Sequence, residues 1–267
     1  MRLIDKVAVI TGGAQGFGAG IAECLADEGC RIVIADVNLE SAQQTAARLK
    51  GIAFRCDVTD ERDVNALVDA AMEAYGRLDL FISNAGVLIS GALEKMTPEK
   101  FELVTKVNYS AFFLCAKAAA RVMKSQREQY PDRSYDIIQV NSKSGLEGSN
   151  KNFAYAGSKF GSIGLVQSFA LELAEFGIKV NAICPGNFYE GPLWSDPEKG
   201  LFVQYLNAGK VPGAKTVADI KAYYEAKVPM KRGCVPVDVA RAIVYCVEQQ
   251  YETGQAVPVT GGQVMLR

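Results

Sequence analysis

The sequence predicts an α/β protein built on one doubly wound, seven-stranded parallel sheet with helices on both faces. Three observations carry that expectation. Short apolar runs rich in Val and Ile alternate with amphipathic segments of helical length along the chain. The first run feeds a glycine-rich turn that opens a helix, and an acidic residue closes the second run about 20 residues further on.

The strands are expected at Val7 to Ile10, Arg31 to Asp36, Ala53 to Val58, Leu78 to Ser83, Asp136 to Asn141, Lys179 to Cys184 and Ala256 to Val259. They read as continuous apolar runs because strands of a parallel sheet are buried on both faces. Helices are expected from Gly16 to Glu28, Leu39 to Leu49, Glu61 to Tyr75, about Phe153 to Phe176, and Val237 to Gln249. A further long helix opens at Thr97-Pro98-Glu99, where Thr97 reads as the N-cap and Pro98 as the first helical residue. No internal repeat or low-complexity linker interrupts the pattern, so residues 1–267 read as a single domain. Only the stretch from about 187 to 235 breaks the rhythm, with several Pro and Gly and weak helical patterning. It is long enough to be a lid rather than a plain connection.

Composition narrows the chemistry. Hydrophobic residues make up 49% of the 267 and the net charge is −1, so nothing in the bulk electrostatics calls for nucleic acid or an anionic membrane. Small molecules are the expected partners. No secretory leader or run long enough to cross a bilayer is visible, which implies a cytoplasmic protein. The seven cysteines are scattered without a Cys-x-x-Cys pair, and are expected to be reduced core thiols. There is no histidine, which removes Ser-His-Asp hydrolysis and His-containing zinc sites; no metal site is expected. Proton transfer is left to Tyr, Lys, Cys or a carboxylate.

After the first strand stands Thr11-Gly12-Gly13-Ala14-Gln15-Gly16-Phe17-Gly18. Its glycines let the backbone turn sharply and approach a pyrophosphate, whose charge the helix N-terminus favours. Asp36 closes the second strand, where a carboxylate hydrogen-bonds ribose hydroxyls and repels a 2′-phosphate. Neither Val37 nor Gln15 supplies a compensating positive charge, so NAD is favoured over NADP. Asp57-Val58 and Asn84-Ala85-Gly86 fall at the carboxyl edge of the sheet, where ligands bind in open parallel folds.

Tyr155 and Lys159 are spaced i, i+4, which puts both on one helix face. A phenol with a reference pKa near 10 needs help to act as a base at neutral pH. The Lys159 ammonium and the positive ring of an oxidised nicotinamide are the expected help; lowering the pKa by ~3 units takes ~4 kcal/mol. Ser142 follows the fifth strand at the same edge and is placed to hydrogen-bond a substrate oxygen, and Asn108 to hold a water linking Lys159 to solvent.

Thr11-Gly12-x-x-x-Gly16-x-Gly18, Asn84-Ala85-Gly86, Asn108, Ser142, Tyr155-x-x-x-Lys159 and Pro185-Gly186 together resemble the short-chain dehydrogenase/reductase family, in the family's order and over nearly the whole chain. The resemblance implies a catalytic tetrad of Asn108, Ser142, Tyr155 and Lys159, B-face hydride transfer, a single Rossmann domain, and a homo-oligomer, commonly a tetramer. The family often carries a nicotinamide-binding Thr where this chain has Glu190, so backbone near Phe188 would hold the carboxamide. Asn141 to Gly145, Lys227 to Cys234 and Val259 to Met265 further resemble a branch that interconverts a sugar-alcohol phosphate and a ketose phosphate with NAD, such as D-glucitol 6-phosphate and fructose 6-phosphate.

A phosphorylated substrate needs cations at the site mouth, for which Lys143, Lys231 and Arg232 are the candidates and Lys151 a weaker one. Glu190 is suited to a polyol hydroxyl and disfavours a phosphate beside it. The stretch from about Asp196 to Lys215 carries no legible role. Two alternatives stay open: a dehydrogenase of an unphosphorylated polyol or secondary alcohol, and a non-catalytic NAD-binding regulatory protein.

Overall fold

Strands apolar on both faces need cover on both faces, and the computed structural model, which describes residues 3–207 and 209–265, supplies it. Seven strands, β1 (Val7–Thr11), β2 (Arg31–Asp36), β3 (Ile52–Arg55), β4 (Leu80–Ser83), β5 (Tyr135–Val140), β6 (Ile178–Pro185) and β7 (Ala256–Val259), form one parallel sheet. Their order is β3-β2-β1-β4-β5-β6-β7, so the winding direction reverses between β1 and β4. Such a reversal opens a crevice at the carboxyl ends of the two strands.

Alternate residues of each strand go to opposite layers. On β1, Val7 and Val9 join a core with helices α3 (Glu61–Tyr75), α5 (Ala111–Gln129) and α6 (Phe153–Leu173). Ala8 and Ile10 join the other core with α1 (Gly16–Asp27), α2 (Leu39–Arg48) and α10 (Pro236–Glu248). Helix α4 (Pro98–Thr105) begins as its sequence indicates, with the Thr97 hydroxyl accepting the Lys100 amide. At the amino edge, buried Asp136 of β5 pairs with Lys179 of β6 at 3.1 Å. The same ammonium donates to the carbonyls of Cys246, Val247 and Gln249, closing the C-terminus of α10. All seven cysteines are free, and all but Cys24 are buried.

Four expectations need correction. The third strand stops at Arg55, short of Val58, because Asp57 turns the chain by accepting the amide and hydroxyl of Thr59 at 2.9 and 2.8 Å. The fourth begins at Leu80, two residues late: Leu78 exchanges its backbone bonds with the buried Gln126 amide, at 2.7 and 2.8 Å, instead of with a strand. The long helix after Thr97 is broken by a π turn at Lys106–Ser110. The stretch from 187 to 235 is not weakly structured: it holds α7 (Pro192–Ser195), α8 (Leu201–Asn207) and α9 (Val217–Ala226) around a small core including Tyr189, Trp194 and Phe202.

Candidate active site

The crevice between β1 and β4 is built by backbone and short side chains. Asn84, just past β4, donates its Nδ2 to the carbonyls of Thr11 and Gly12 at 2.9 and 3.0 Å. The Thr11 hydroxyl accepts the amides of Asn84 and Ala85 at 3.0 and 3.2 Å, so the two strand ends are latched in both directions. Gly12 and Gly16 have φ near +61° and +60°, a conformation side chains resist. Gly18 lies so close beneath Gly12 that a β-carbon there would stand 2.2 Å from the Gly12 carbonyl oxygen.

These residues suit a nicotinamide dinucleotide. The N-terminus of α1 carries no side-chain cap and no acidic residue in its first turn, whereas Asn38, Asp60, Thr97 and Thr216 cap α2, α3, α4 and α9. Its open amides are what a pyrophosphate requires. Asp36 accepts the Ala14 amide at 3.2 Å and the Asn38 amide at 3.1 Å, which fixes its carboxylate against the glycine loop. Val37 and Gln15 are exposed beside it, and Gly86 is exposed past Asn84. Val58 points into the core, and the Asp57 carboxyl is held below its usual range by the Thr59 amide. Past Pro185 and Gly186, the Phe188 ring lies 4.9 Å from that of Phe17, tying the start of the 187–235 segment to the glycine loop.

At the chemical end, β5 delivers Ser142 and the first two turns of α6 deliver Tyr155 and Lys159. The Ser142 hydroxyl accepts the Ser144 amide at 3.1 Å and hydrogen-bonds the Tyr155 phenol. Lys159 is buried, with Nζ 5.7 Å from the Tyr155 ring centroid and 2.9 Å from the Val140 carbonyl it donates to. The π turn brings Asn108 beneath them. Its side chain clamps the backbone of Val87 at 2.8 and 2.9 Å, and its carbonyl accepts the Ser162 hydroxyl at 3.3 Å. Irregular turns of this kind free a carbonyl from the helical ladder. Among the described residues, the four members of the predicted tetrad thus converge at the carboxyl edge beside Gly86.

Burial raises the Tyr155 pKa above that of an ordinary phenol; the Ser142 bond lowers it, and neighbouring Cys184 raises it further. Burial brings the Lys159 pKa down to about 8, which leaves its ammonium charged at neutral pH. The protein alone therefore holds the proton on Tyr155.

Asn141 was not anticipated. It is buried, and its side chain accepts the Ser142 amide at 2.8 Å while donating to the Lys159 carbonyl at 3.0 Å, which fixes the spacing between those two residues. Its position before Ser142 is the only trace it leaves in the sequence.

Of the expected substrate cations, Lys143 lies 3.6 Å from Glu147, Lys231 donates to the Ala226 carbonyl at 2.8 Å, and Arg232 grips Asp238 at 2.5 and 3.0 Å. Glu190 pairs with Lys221 at 3.0 Å, so its charge is neutralised.

A parallel sheet with this strand order, an open glycine loop at the reversal and a Ser, Tyr and Lys gathered at its edge define a dehydrogenase of the short-chain type. The short chain dehydrogenase profile matches residues 6–196, and the chain belongs to that family, whose oxidoreductases bind a nicotinamide cofactor. Among its relatives is the sorbitol-6-phosphate 2-dehydrogenase of Escherichia coli K12, 37% identical over 98% of this chain and 100% of that one. The galactitol 2-dehydrogenase of Agrobacterium fabrum is 33% identical over 99% of this chain and 100% of its own length. The crystal structure of sorbitol-6-phosphate 2-dehydrogenase from Erwinia amylovora superposes with a TM-score of 0.88 at 36% identity, covering 97% of this chain and 100% of that one.

Proposed function

We propose that the chain is an NAD-dependent oxidoreductase that interconverts a sugar-alcohol phosphate and a ketose phosphate, D-glucitol 6-phosphate and fructose 6-phosphate. The observation that carries the chemistry is the meeting of Ser142, Tyr155, Lys159 and Asn108 beside the glycine loop. Support for the substrate comes from the full-length similarity to sorbitol-6-phosphate 2-dehydrogenases. Asp36 supports NAD over NADP, since a carboxylate fixed at the end of β2 against the glycine loop would repel a 2′-phosphate.

When bound, the nicotinamide supplies the two-electron acceptor and donor for the reacting carbon, and its positive ring supplies the charge that burial of Tyr155 calls for. Ser142 and Tyr155 hold the substrate oxygen, and Tyr155 takes the hydroxyl proton in oxidation and returns it in reduction. Lys159 stabilises the phenolate and grips the ribose. The Asn108 carbonyl, at the π turn, anchors the water through which the proton leaves. Lys143 and Glu190 flank this site, while Lys231 and Arg232 brace the end of the 187–235 segment, which acts as the lid of a single domain.

The protein works in the cytoplasm as a homo-oligomer: α5 and α6 leave Phe113, Phe160 and Leu171 exposed, apolar surface that a second copy would cover. The test is a steady-state comparison of D-glucitol 6-phosphate with glucitol, using NAD and NADP. A kcat/KM at least tenfold higher for the phosphate with NAD is expected, and equal values would favour the unphosphorylated polyol. Tyr155→Phe should abolish turnover and leave NADH binding intact; unchanged kcat would remove Tyr155 from the mechanism, and a wild type inactive across a polyol panel would leave a binding protein.

A further inference from the structure

Asn141 stands between the end of β5 and Ser142, with 4% of its surface exposed. A primary amide offers two N–H donors and an acceptor oxygen, and here both donors and the oxygen are engaged. Nδ2 donates to Gln139 Oε1 at 2.8 Å and to the Lys159 carbonyl at 3.0 Å, and Oδ1 accepts the Ser142 amide at 2.8 Å. This set fixes which way the amide faces. Exchanging its nitrogen and oxygen would turn Oδ1 onto the Lys159 carbonyl oxygen and the NH2 group onto the Ser142 N–H. The backbone of Asn141 is held as well, its amide donating to the Ile183 carbonyl of β6 at 2.7 Å. One residue therefore joins β5, β6 and α6.

Both residues that the Asn141 side chain holds face the phenol. Ser142 reaches Tyr155 with its hydroxyl while accepting the Ser144 amide at 3.1 Å. Lys159 is gripped at two points by consecutive residues: its carbonyl by Asn141 Nδ2, and its ammonium by the Val140 carbonyl at 2.9 Å. That places Nζ 5.7 Å from the Tyr155 ring centroid. Cys184 of β6 faces the phenol from the third side. Room for the amide comes from Gly145, where a β-carbon would stand 2.1 Å from Asn141 Oδ1 and 3.1 Å from its Cγ, so the turn after Ser142 closes directly over it. A buried amide incurs a desolvation cost for every bond it fails to make, which confines it to one position and confines Ser142 and Lys159 with it.

We propose that Asn141 is a positioning residue for the proton transfer: it sets where the Ser142 hydroxyl and the Lys159 ammonium stand against the Tyr155 phenol, and through them how readily the phenol ionises. This rests on the dehydrogenase reading above, in which Tyr155 carries the proton, and does not depend on which polyol is the substrate. The Ser142 bond lowers the pKa of the phenol. Loosening that bond leaves the phenol harder to ionise, and alcohol oxidation, which needs the phenolate, then requires a higher pH.

The test is steady-state alcohol oxidation with NAD as a function of pH, on whichever polyol or polyol phosphate the wild type turns over fastest, with folding checked by near-UV circular dichroism. Asn141→Ala removes the amide, and Asn141→Leu removes its bonds while keeping its volume. In both, kcat should fall about 100-fold, the scale on which ~1 Å of misplacement slows a reaction. KM for the polyol should change less than kcat, and the rise of rate with pH should move to higher pH. Gln126→Ala is the control for loss of a buried amide: it gives up bonds to Leu78 at 2.7 and 2.8 Å, at the amino edge of the sheet. It should lower Tm and leave kcat and the pH profile as in the wild type. Should the two Asn141 variants fail to fold, Asn141→Ser carries the same expectation, since its hydroxyl serves the Ser142 amide and is too short for the Lys159 carbonyl. A folded Asn141 variant with wild-type kcat, or with a lower kcat and an unmoved pH profile, overturns the proposal, as does a Gln126→Ala that shows the same losses. A wild type inactive on every polyol overturns the dehydrogenase reading itself.

Discussion

Gly18→Ala tests the cofactor crevice at its tightest point. The added β-carbon would stand 2.2 Å from the Gly12 carbonyl oxygen, 2.6 Å from Asn84 Nδ2 and 2.9 Å from the Gly12 carbonyl carbon, where ordinary contact begins at 3.4 Å. Two of the three atoms are backbone, so the loop has to retreat by more than an ångström. That movement breaks the Asn84 bonds to Thr11 and Gly12, at 2.9 and 3.0 Å. Two neutral hydrogen bonds at roughly 1 kcal/mol each come to about 2 kcal/mol, or about 30-fold in affinity if the loss falls on the shape that receives the cofactor. NADH fluorescence titration measures it. Asn84→Ala removes the same bonds without the clash and should weaken binding to a similar degree. Gly20→Ala is the control: its β-carbon would meet the Pro236 ring at 2.5 Å, a clash placed between α1 and α10 instead of at the crevice. It should lower Tm and leave NADH affinity alone. Binding within twofold of wild type in Gly18→Ala, or equal losses in Gly18→Ala and Gly20→Ala, would refute the reasoning.

Three further outcomes are expected. Oxidation needs the phenolate, and burial raises the Tyr155 pKa, so the rate of alcohol oxidation should climb with pH, while ketone reduction, which needs the phenol, stays level through neutrality. Initial-rate profiles check this, and oxidation faster at pH 6 than at pH 9 would contradict it. Asp36→Ala should raise KM for NAD and lower the preference over NADP, read as a ratio of kcat/KM values; an unchanged ratio removes Asp36 from cofactor choice. Lys179→Met strands the buried Asp136 and uncovers three carbonyls at the end of α10, for a loss of about 3–5 kcal/mol in urea unfolding. A loss under 1 kcal/mol would mean that the pair contributes nothing net.

The strands were readable because a parallel sheet repeats one signal, an apolar run, and that signal does not depend on distant residues. The failures lie where a side chain outcompetes the ladder. Gln126 takes the backbone bonds of Leu78 from 48 residues away, and no local pattern announces it. Helix α9 is a different case: Thr216-Val217-Ala218-Asp219 spells out a capping box, with Thr216 Oγ1 accepting the Asp219 amide and Asp219 accepting that of Thr216, and was legible in principle. Tyr155 and Lys159 were visible because helical spacing sets them side by side. Their partner Asn141, and the pairing that commits Arg232 to Asp238, depend on how the chain closes and leave no periodic trace.

The two ends of the segment from 187 to 235 meet each other: the Cys234 amide donates to the Asn187 carbonyl at 2.8 Å, and Gly233 lets them pass within contact of Tyr189. Its interior is filled by its own aromatic side chains, with Trp194 within 5.0 to 5.9 Å of four other rings. A unit with a closed neck and a self-contained filling is exchangeable. Its interior can be repacked as a unit, provided that Phe188 still meets Phe17 and the Met230 amide still meets the Gly261 carbonyl. The reacting groups and this self-filled unit thereby occupy separate stretches of the same chain.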